Sequence, residues 1–131
     1  MNASQALNAY RSVGAHGAVT DASPHRLVTM LFEGAMDRVA TARGAMERGD
    51  QQTQGEALGK AIAIIDNLRA GLDLQQGGEL AQRLRDLYDY MEARLLTAGQ
   101  ERDVDALSEV HGLLGEIRAG WEGIAPERAG G

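Results

Sequence analysis

The 131-residue sequence contains no cysteine, which excludes disulfide bonds, thiol catalysis and cysteine metal sites. Its longest uninterrupted apolar run, residues 61–65, is far shorter than the roughly 20 residues that a transmembrane helix needs. Residues 1–10 lack a basic region followed by an apolar one, so no signal peptide is predicted. We therefore expect a cytoplasmic protein.

Basic residues are scarce, since 13 Lys and Arg stand against 19 Asp and Glu, for a formal net charge of −6. Nucleic acids and anionic membrane surfaces attract proteins through an excess of Lys and Arg. We expect neither nucleic acid binding nor membrane insertion. The hydrophobic content of 44% is typical of a globular chain, and the length fits one domain with its own core.

Capping signals and apolar periodicity predict four helices. Ser23 and Pro24 have the residue types of an N-cap and a first helical position, while Asp50 and Asp103 fit the N-caps of the second and fourth helices. Breaks are predicted near Gly49, at 75–78, near Gly99 and before Pro126. The apolar stripe of the second helix recurs at spacings of three and four, through Leu58, Ala61, Ile62, Ile65, Leu68 and Leu72.

Four helices of about 20–25 residues joined by short connections predict an all-α fold, an antiparallel up-down four-helix bundle. We assign residues 23–125 to this bundle. Residues 1–22 are predicted to form an N-terminal arm and linker, with a short helix that includes Leu7 and Tyr10. Residues 126–131 are predicted to be a disordered tail.

The sequence offers little chemistry. The histidines are far apart, and no Glu-x-x-His pair is present, since Ser108 stands three residues before His111. We expect no metal site, no cofactor and no enzyme activity. One alternative is a histidine phosphotransfer bundle that uses His111, although Leu114 stands where such domains usually have a phosphate-supporting lysine. Another alternative is a purely structural bundle.

Several apolar side chains fall outside the predicted core stripes. Tyr88 and Tyr90 are two of only five aromatic residues, and on a helix they point about 200° apart. Met30 and Leu96 project away from the core, while Leu27 and Ile64 lie at its flanks. Apolar residues at such positions indicate either a binding surface or a wide core. We expect Tyr88 to be mainly core-packed and Tyr90 to face a partner.

These residues also carry a resemblance to a known family. From about Ala6 to Trp121 the chain resembles the FliS family, the cytoplasmic chaperones of flagellin export. The most specific parts of the resemblance are Tyr10, residues 22–28 and 30–35, Gly77 to Ala81, Leu84 to Met91, and Trp121. Phe32 departs from the family, which more often has tyrosine there.

The resemblance implies a helical bundle that binds the C-terminal segment of flagellin, which is disordered when free. It further implies that the chaperone prevents premature polymerisation and presents flagellin to components of the flagellar type III export apparatus. We expect the N-terminal arm to occupy a groove when flagellin is absent. The predicted flagellin-binding residues are Leu7, Tyr10, Leu27, Met30, Ile64, Leu68, Tyr88, Tyr90 and Leu96. Core packing is the alternative for Ile64, Leu68 and Tyr88.

Overall fold

The computed structural model describes residues 7–10 and 23–124. The regular part consists of four helices, namely α1 (Pro24–Arg48), α2 (Gln51–Ala70), α3 (Gly78–Glu101) and α4 (Val104–Glu122). Residues 7–10, called the arm segment below, form a helical turn. The predicted linker and the predicted 126–131 tail lie outside the described residues. No helix in the described ranges is long and apolar enough to span a membrane.

Side-chain caps define the starts of three helices, as the sequence predicts. The Ser23 hydroxyl accepts a hydrogen bond from the Arg26 amide at 3.1 Å, which opens α1. The carboxylates of Asp50 and Asp103 do the same for α2 and α4. At the end of α1, Gly49 takes a left-handed conformation with φ 76°, which costs glycine little.

The four helices pack as an antiparallel bundle. Helix α1 packs between α2 and α4, and α3 packs against the same two neighbours. His25 at the start of α1 meets Trp121 near the end of α4, while Arg43 near the end of α1 donates to Ser108 near the start of α4. The up-down arrangement is therefore confirmed. Its fully buried centre includes Phe32, Val39, Ile65, Leu68, Tyr88, Met91, Leu95, Leu107 and Leu114.

Two helix ends differ from the prediction. Helix α2 ends at Ala70, so Leu72 belongs to the connection that follows. In that connection the Asp73 carboxylate accepts hydrogen bonds from the amides of Gln75 and Gln76, which fixes a tight turn. Helix α3 continues past Gly99 to Glu101, and Arg102 takes the left-handed conformation that closes it.

Candidate binding surfaces

The arm segment packs on one end of the bundle. The Asp73 amide donates to the Ala9 carbonyl at 2.7 Å, which ties the arm to the α2–α3 connection. Gly77 lies directly beneath it, because a Cβ at Gly77 would come within 2.7 Å of the Ala9 Cα. Glycine therefore permits a close approach between the two backbones. Ala9 and Tyr10 are buried by this contact, while Leu7 is half-buried.

An aromatic cluster of Tyr10, His25, Tyr88 and Trp121 joins the arm to the helices. The hydroxyls of Tyr10 and Tyr88 are hydrogen-bonded to each other. The Tyr10 ring meets the Trp121 ring edge-on, with centroids 5.6 Å apart. The His25 imidazole stacks on the Trp121 indole, with ring centroids 4.9 Å apart. Edge-on and stacked rings add to the stabilisation that burial alone supplies.

Trp121 and His25 also exchange hydrogen bonds. The indole Nε1 donates to the His25 carbonyl at 2.9 Å, and the His25 Nε2 lies 2.8 Å from the Trp121 carbonyl. The carbonyl can only accept, so Nε2 carries the proton. The start of α1 and the end of α4 are thus fastened together beside the arm.

Burial raises the pKa of Tyr10 and that of Tyr88 above the ordinary value. Both phenols therefore stay neutral at physiological pH, and each can donate or accept in the bond that joins them. This pair is a polar contact in an apolar pocket, and removal of the arm would leave the Tyr88 hydroxyl without it.

The predicted contact residues fall into three groups in the structure. Leu68 and Tyr88 are fully buried in the core, as their alternative interpretation predicted, and Tyr10 is buried under the arm contact. Leu7, Leu27 and Ile64 are half-buried. Met30, Tyr90 and Leu96 are 49%, 44% and 57% exposed, which leaves their side chains accessible to a partner. Leu68 and Tyr88 therefore present no exposed surface to a partner in this arrangement.

Tyr90 is exposed, but its hydroxyl is hydrogen-bonded. Its hydroxyl donates to Glu109 at 2.5 Å, and Arg94 binds the same carboxylate at 2.7 Å. The hydrogen bond from the Tyr90 hydroxyl is the largest cause that lowers the pKa of Glu109, and the hydrogen bond from Arg94 lowers this pKa further. The hydrogen bond to Glu109 ties the Tyr90 hydroxyl on α3 to α4, and the role of Tyr90 as a contact remains a prediction.

A charged cluster on α2 and α3 was not predicted from the sequence. Arg69 binds Glu92 at 2.9 Å and Asp89 at 2.5 Å, and it also pairs with Asp66. The Oε1 atom of Glu92 is buried and has no hydrogen-bond partner in the described part of the chain. Burial is the largest cause that raises the pKa of Glu92, and the neighbouring Asp66 and Asp89 raise it further, so that the pKa moves from 4.5 to about 7.

The raised pKa of Glu92 predicts a pH effect on stability. The folded state holds the carboxyl proton of Glu92 more tightly than the unfolded state does, so protonation of Glu92 stabilises the fold. This stabilisation is fully present below pH 4.5 and is lost as pH rises through about 7. The free energy of unfolding should therefore fall less between pH 5 and 8 in Glu92→Gln than in the wild type. Urea unfolding at several pH values measures the difference, and parallel curves for the two proteins would contradict it.

Within residues 7–10 and 23–124, no group of three His, Cys, Asp or Glu side chains is placed to hold a metal ion. His111 is half-buried on α4. Leu114, at the position where phosphotransfer domains usually have a lysine, is fully buried in the core. No cation can therefore reach a phosphoryl group on His111 from that position, which weighs against the phosphotransfer alternative.

Comparisons with known proteins cover nearly the whole chain. The family model described as "Flagellar protein FliS" matches residues 6–128. The chain is 48% identical over 128 residues to the flagellar secretion chaperone FliS of Salmonella typhimurium, a match that covers 97% of this chain and 95% of the relative. It is 47% identical over 125 residues to the flagellar secretion chaperone FliSB of Pseudomonas aeruginosa, covering 95% and 99%. The Bacillus subtilis flagellar secretion chaperone FliS is 34% identical over 112 residues, covering 85% and 83%.

Proposed function

Because this chain belongs to the FliS family of flagellar secretion chaperones, we propose that it binds the C-terminal segment of flagellin in the cytoplasm. Binding prevents premature polymerisation and supports delivery of flagellin to the flagellar type III export apparatus. A chaperone of this kind works by binding and release, and the chain is not an enzyme.

The observation that carries the proposal is the arm segment in its aromatic pocket. A short helical turn of the chain already lies there, with Tyr10 between Tyr88 and Trp121 and a backbone hydrogen bond to Asp73. A pocket that accepts one short helical segment has the shape and chemistry to accept another. We propose that the flagellin segment displaces the arm and takes its place.

Hydrophobic burial supplies the affinity in this proposal. A disordered segment that folds on binding typically buries roughly 1,000–3,000 Å² and loses about 2–5 kcal/mol to ordering. At about 25 cal/mol per Å² of apolar surface, burial of that extent offsets the ordering cost. The exposed Met30 and Leu96 side chains offer apolar surface outside the pocket.

Calorimetric titration of the flagellin C-terminal peptide into this protein tests the proposal directly. We expect one-to-one binding with a Kd of about 10 μM or tighter, a negative heat-capacity change from apolar burial, and a gain of helical circular dichroism. A peptide of the same composition in scrambled order should not bind. Absence of binding at tens of micromolar would contradict the proposal and favour a purely structural bundle.

A further inference from the structure

Two polar groups of the bundle hold the arm segment in its pocket. One is the backbone amide of Asp73, which donates to the Ala9 carbonyl at 2.7 Å. The other is the hydroxyl of Tyr88, which is hydrogen-bonded to the hydroxyl of Tyr10. Two adjacent residues of the arm therefore satisfy both groups, the first through its backbone and the second through the end of its side chain.

The Tyr88 hydroxyl is the group that a replacement for the arm has to satisfy. Tyr88 is fully buried, and this hydrogen bond joins it to the arm. Water can take the place of the Tyr10 hydroxyl while the pocket is open, but a partner that covers the pocket excludes that water. A buried hydroxyl that is left unpaired then lowers the affinity by its desolvation penalty. The pocket thus discriminates against a partner that offers only apolar side chains.

The floor of the pocket restricts the size of the residue that lies on it. A Cβ at Gly77 would stand 2.7 Å from the Ala9 Cα, so the two backbones lie against each other. The Ala9 side chain is itself fully buried. A larger side chain at this place would overpack a filled site. A chain segment that follows the path of the arm should therefore have a small residue where Ala9 lies.

We propose that Tyr88 determines which segments the pocket accepts. An accepted segment has a small residue whose carbonyl bonds the Asp73 amide, followed by a long side chain whose polar end bonds the Tyr88 hydroxyl. Segments without such an end are disfavoured, because they cover the hydroxyl without pairing with it. This inference rests on the proposed function, in which a flagellin segment takes the place of the arm, and it adds the sequence feature that the pocket selects.

Two phenylalanine variants of the full chain test the role of the Tyr88 hydroxyl. Tyr10→Phe and Tyr88→Phe each remove one half of the same hydrogen bond, so both weaken the hold on the arm. Only Tyr88→Phe also removes the group that the incoming segment would bond. We expect the flagellin C-terminal peptide to bind Tyr88→Phe at least about fivefold more weakly than Tyr10→Phe in calorimetric titration. Equal affinities would overturn the proposal.

Hydrogen exchange controls for unequal release of the arm in these variants. Exchange at the Asp73 amide measures the fraction of molecules with a detached arm, and each Kd can be corrected by that fraction. The Gly77 amide donates to the Asp73 carbonyl at 2.8 Å, so its protection shows that the turn itself is intact. An affinity difference that disappears after the correction would likewise overturn the role of Tyr88.

Two substitutions in the arm test the size requirement without flagellin. Ala9→Ser keeps a small side chain, whereas Ala9→Leu overpacks the site. We expect protection of the Asp73 amide to stay within about twofold of the wild type in the serine variant and to fall at least about tenfold in the leucine variant. Protection of the Gly77 amide should be retained in both. Equal protection of the Asp73 amide in the two variants would overturn the size requirement.

These outcomes separate this inference from the proposed function. Wild-type binding of the flagellin peptide, with equal affinities for the two phenylalanine variants, leaves the proposed function intact and removes the role of Tyr88. Failure of the wild type to bind the peptide removes the proposed function, and selection of a flagellin segment by Tyr88 falls with it.

Discussion

Replacing Trp121 by alanine is expected to lower the free energy of unfolding by about 3–5 kcal/mol, the usual cost of deleting a buried aromatic ring. Trp121 is only 3% exposed. Its loss removes the stack on His25, the edge contact with Tyr10, and the hydrogen bond to the His25 carbonyl. The variant thus loosens α1 from α4 and takes away one wall of the arm pocket. Urea unfolding followed by far-ultraviolet circular dichroism measures the change.

Two controls make this prediction specific to the indole. Trp121→Phe keeps an aromatic ring but loses the N–H donor, so it should cost clearly less than alanine does. Glu122→Ala changes the next, exposed residue of α4 and should stay within about 0.5 kcal/mol of the wild type. A loss below about 1 kcal/mol in Trp121→Ala would mean that the cluster does not fasten α1 to α4.

Gly77→Ala is expected to detach the arm segment. The added Cβ would stand 2.7 Å from the Ala9 Cα, 2.7 Å from the Ala81 Cβ and 2.9 Å from the Asp73 carbonyl oxygen. No side-chain rotation can relieve contacts with backbone atoms or with an alanine methyl group, so the arm must move away and the turn that contains Asp73 and Gly77 must shift as well. We expect a stability loss of about 1–3 kcal/mol, as for other overpacked sites. Hydrogen exchange at the Asp73 amide, which donates to Ala9, reports the detachment directly.

Arm release should also tighten flagellin-peptide binding. If only a fraction of the molecules has an open pocket, the apparent Kd is the intrinsic Kd divided by that fraction. Deletion of residues 1–13 should produce the same gain without disturbing Ala81. Gly112→Ala, where no neighbour lies within 4 Å, should leave both exchange and affinity unchanged. An unchanged or weaker affinity in the deletion variant would show that the arm does not occlude the pocket.

The bundle follows from signals that lie close together in the sequence. Ser23 caps an amide three residues away, and Asp50 and Asp103 repeat that local arrangement. Apolar periodicity then fixes which side of each helix is buried. For this reason the periodicity also placed Met30 and Leu96 outside the core, since each lies off the apolar stripe of its helix. Both side chains are exposed in the structure.

Contacts between distant residues account for what the sequence could not predict. Leu72 continues the period of α2, yet the helix ends at Ala70, and Asp73 is tied instead to Ala9. Arg69 and Glu92 belong to different helices, so their pairing depends on how α2 and α3 rotate against each other. Periodicity within one helix carries no such information.

The aromatic pocket likewise combines features that the sequence predicts with contacts between distant residues that it does not predict. Tyr10 was predicted as an arm residue and Tyr88 as a residue at the border of the core, but the two hydroxyls meet across 78 positions of sequence. The burial of Tyr88 was expected from the sequence, whereas the burial of Tyr10 and its contact with Tyr88 follow only from the position of the arm on the bundle. Contact with flagellin remains a prediction for all nine residues, which peptide titration can test: Leu7, Tyr10, Leu27, Met30, Ile64, Leu68, Tyr88, Tyr90 and Leu96.

Trp121 has one more consequence, which concerns how the molecule can be observed. It is the chain's only tryptophan, so all indole emission originates at the arm pocket. There the ring is covered by Tyr10 on one side and stacked on His25 on another. If a partner displaces the arm as proposed, the indole should be exposed to water when the arm departs and covered again when the partner binds. The unlabelled protein thus contains its own optical probe of the two states, with no second fluorophore of the same kind to obscure it.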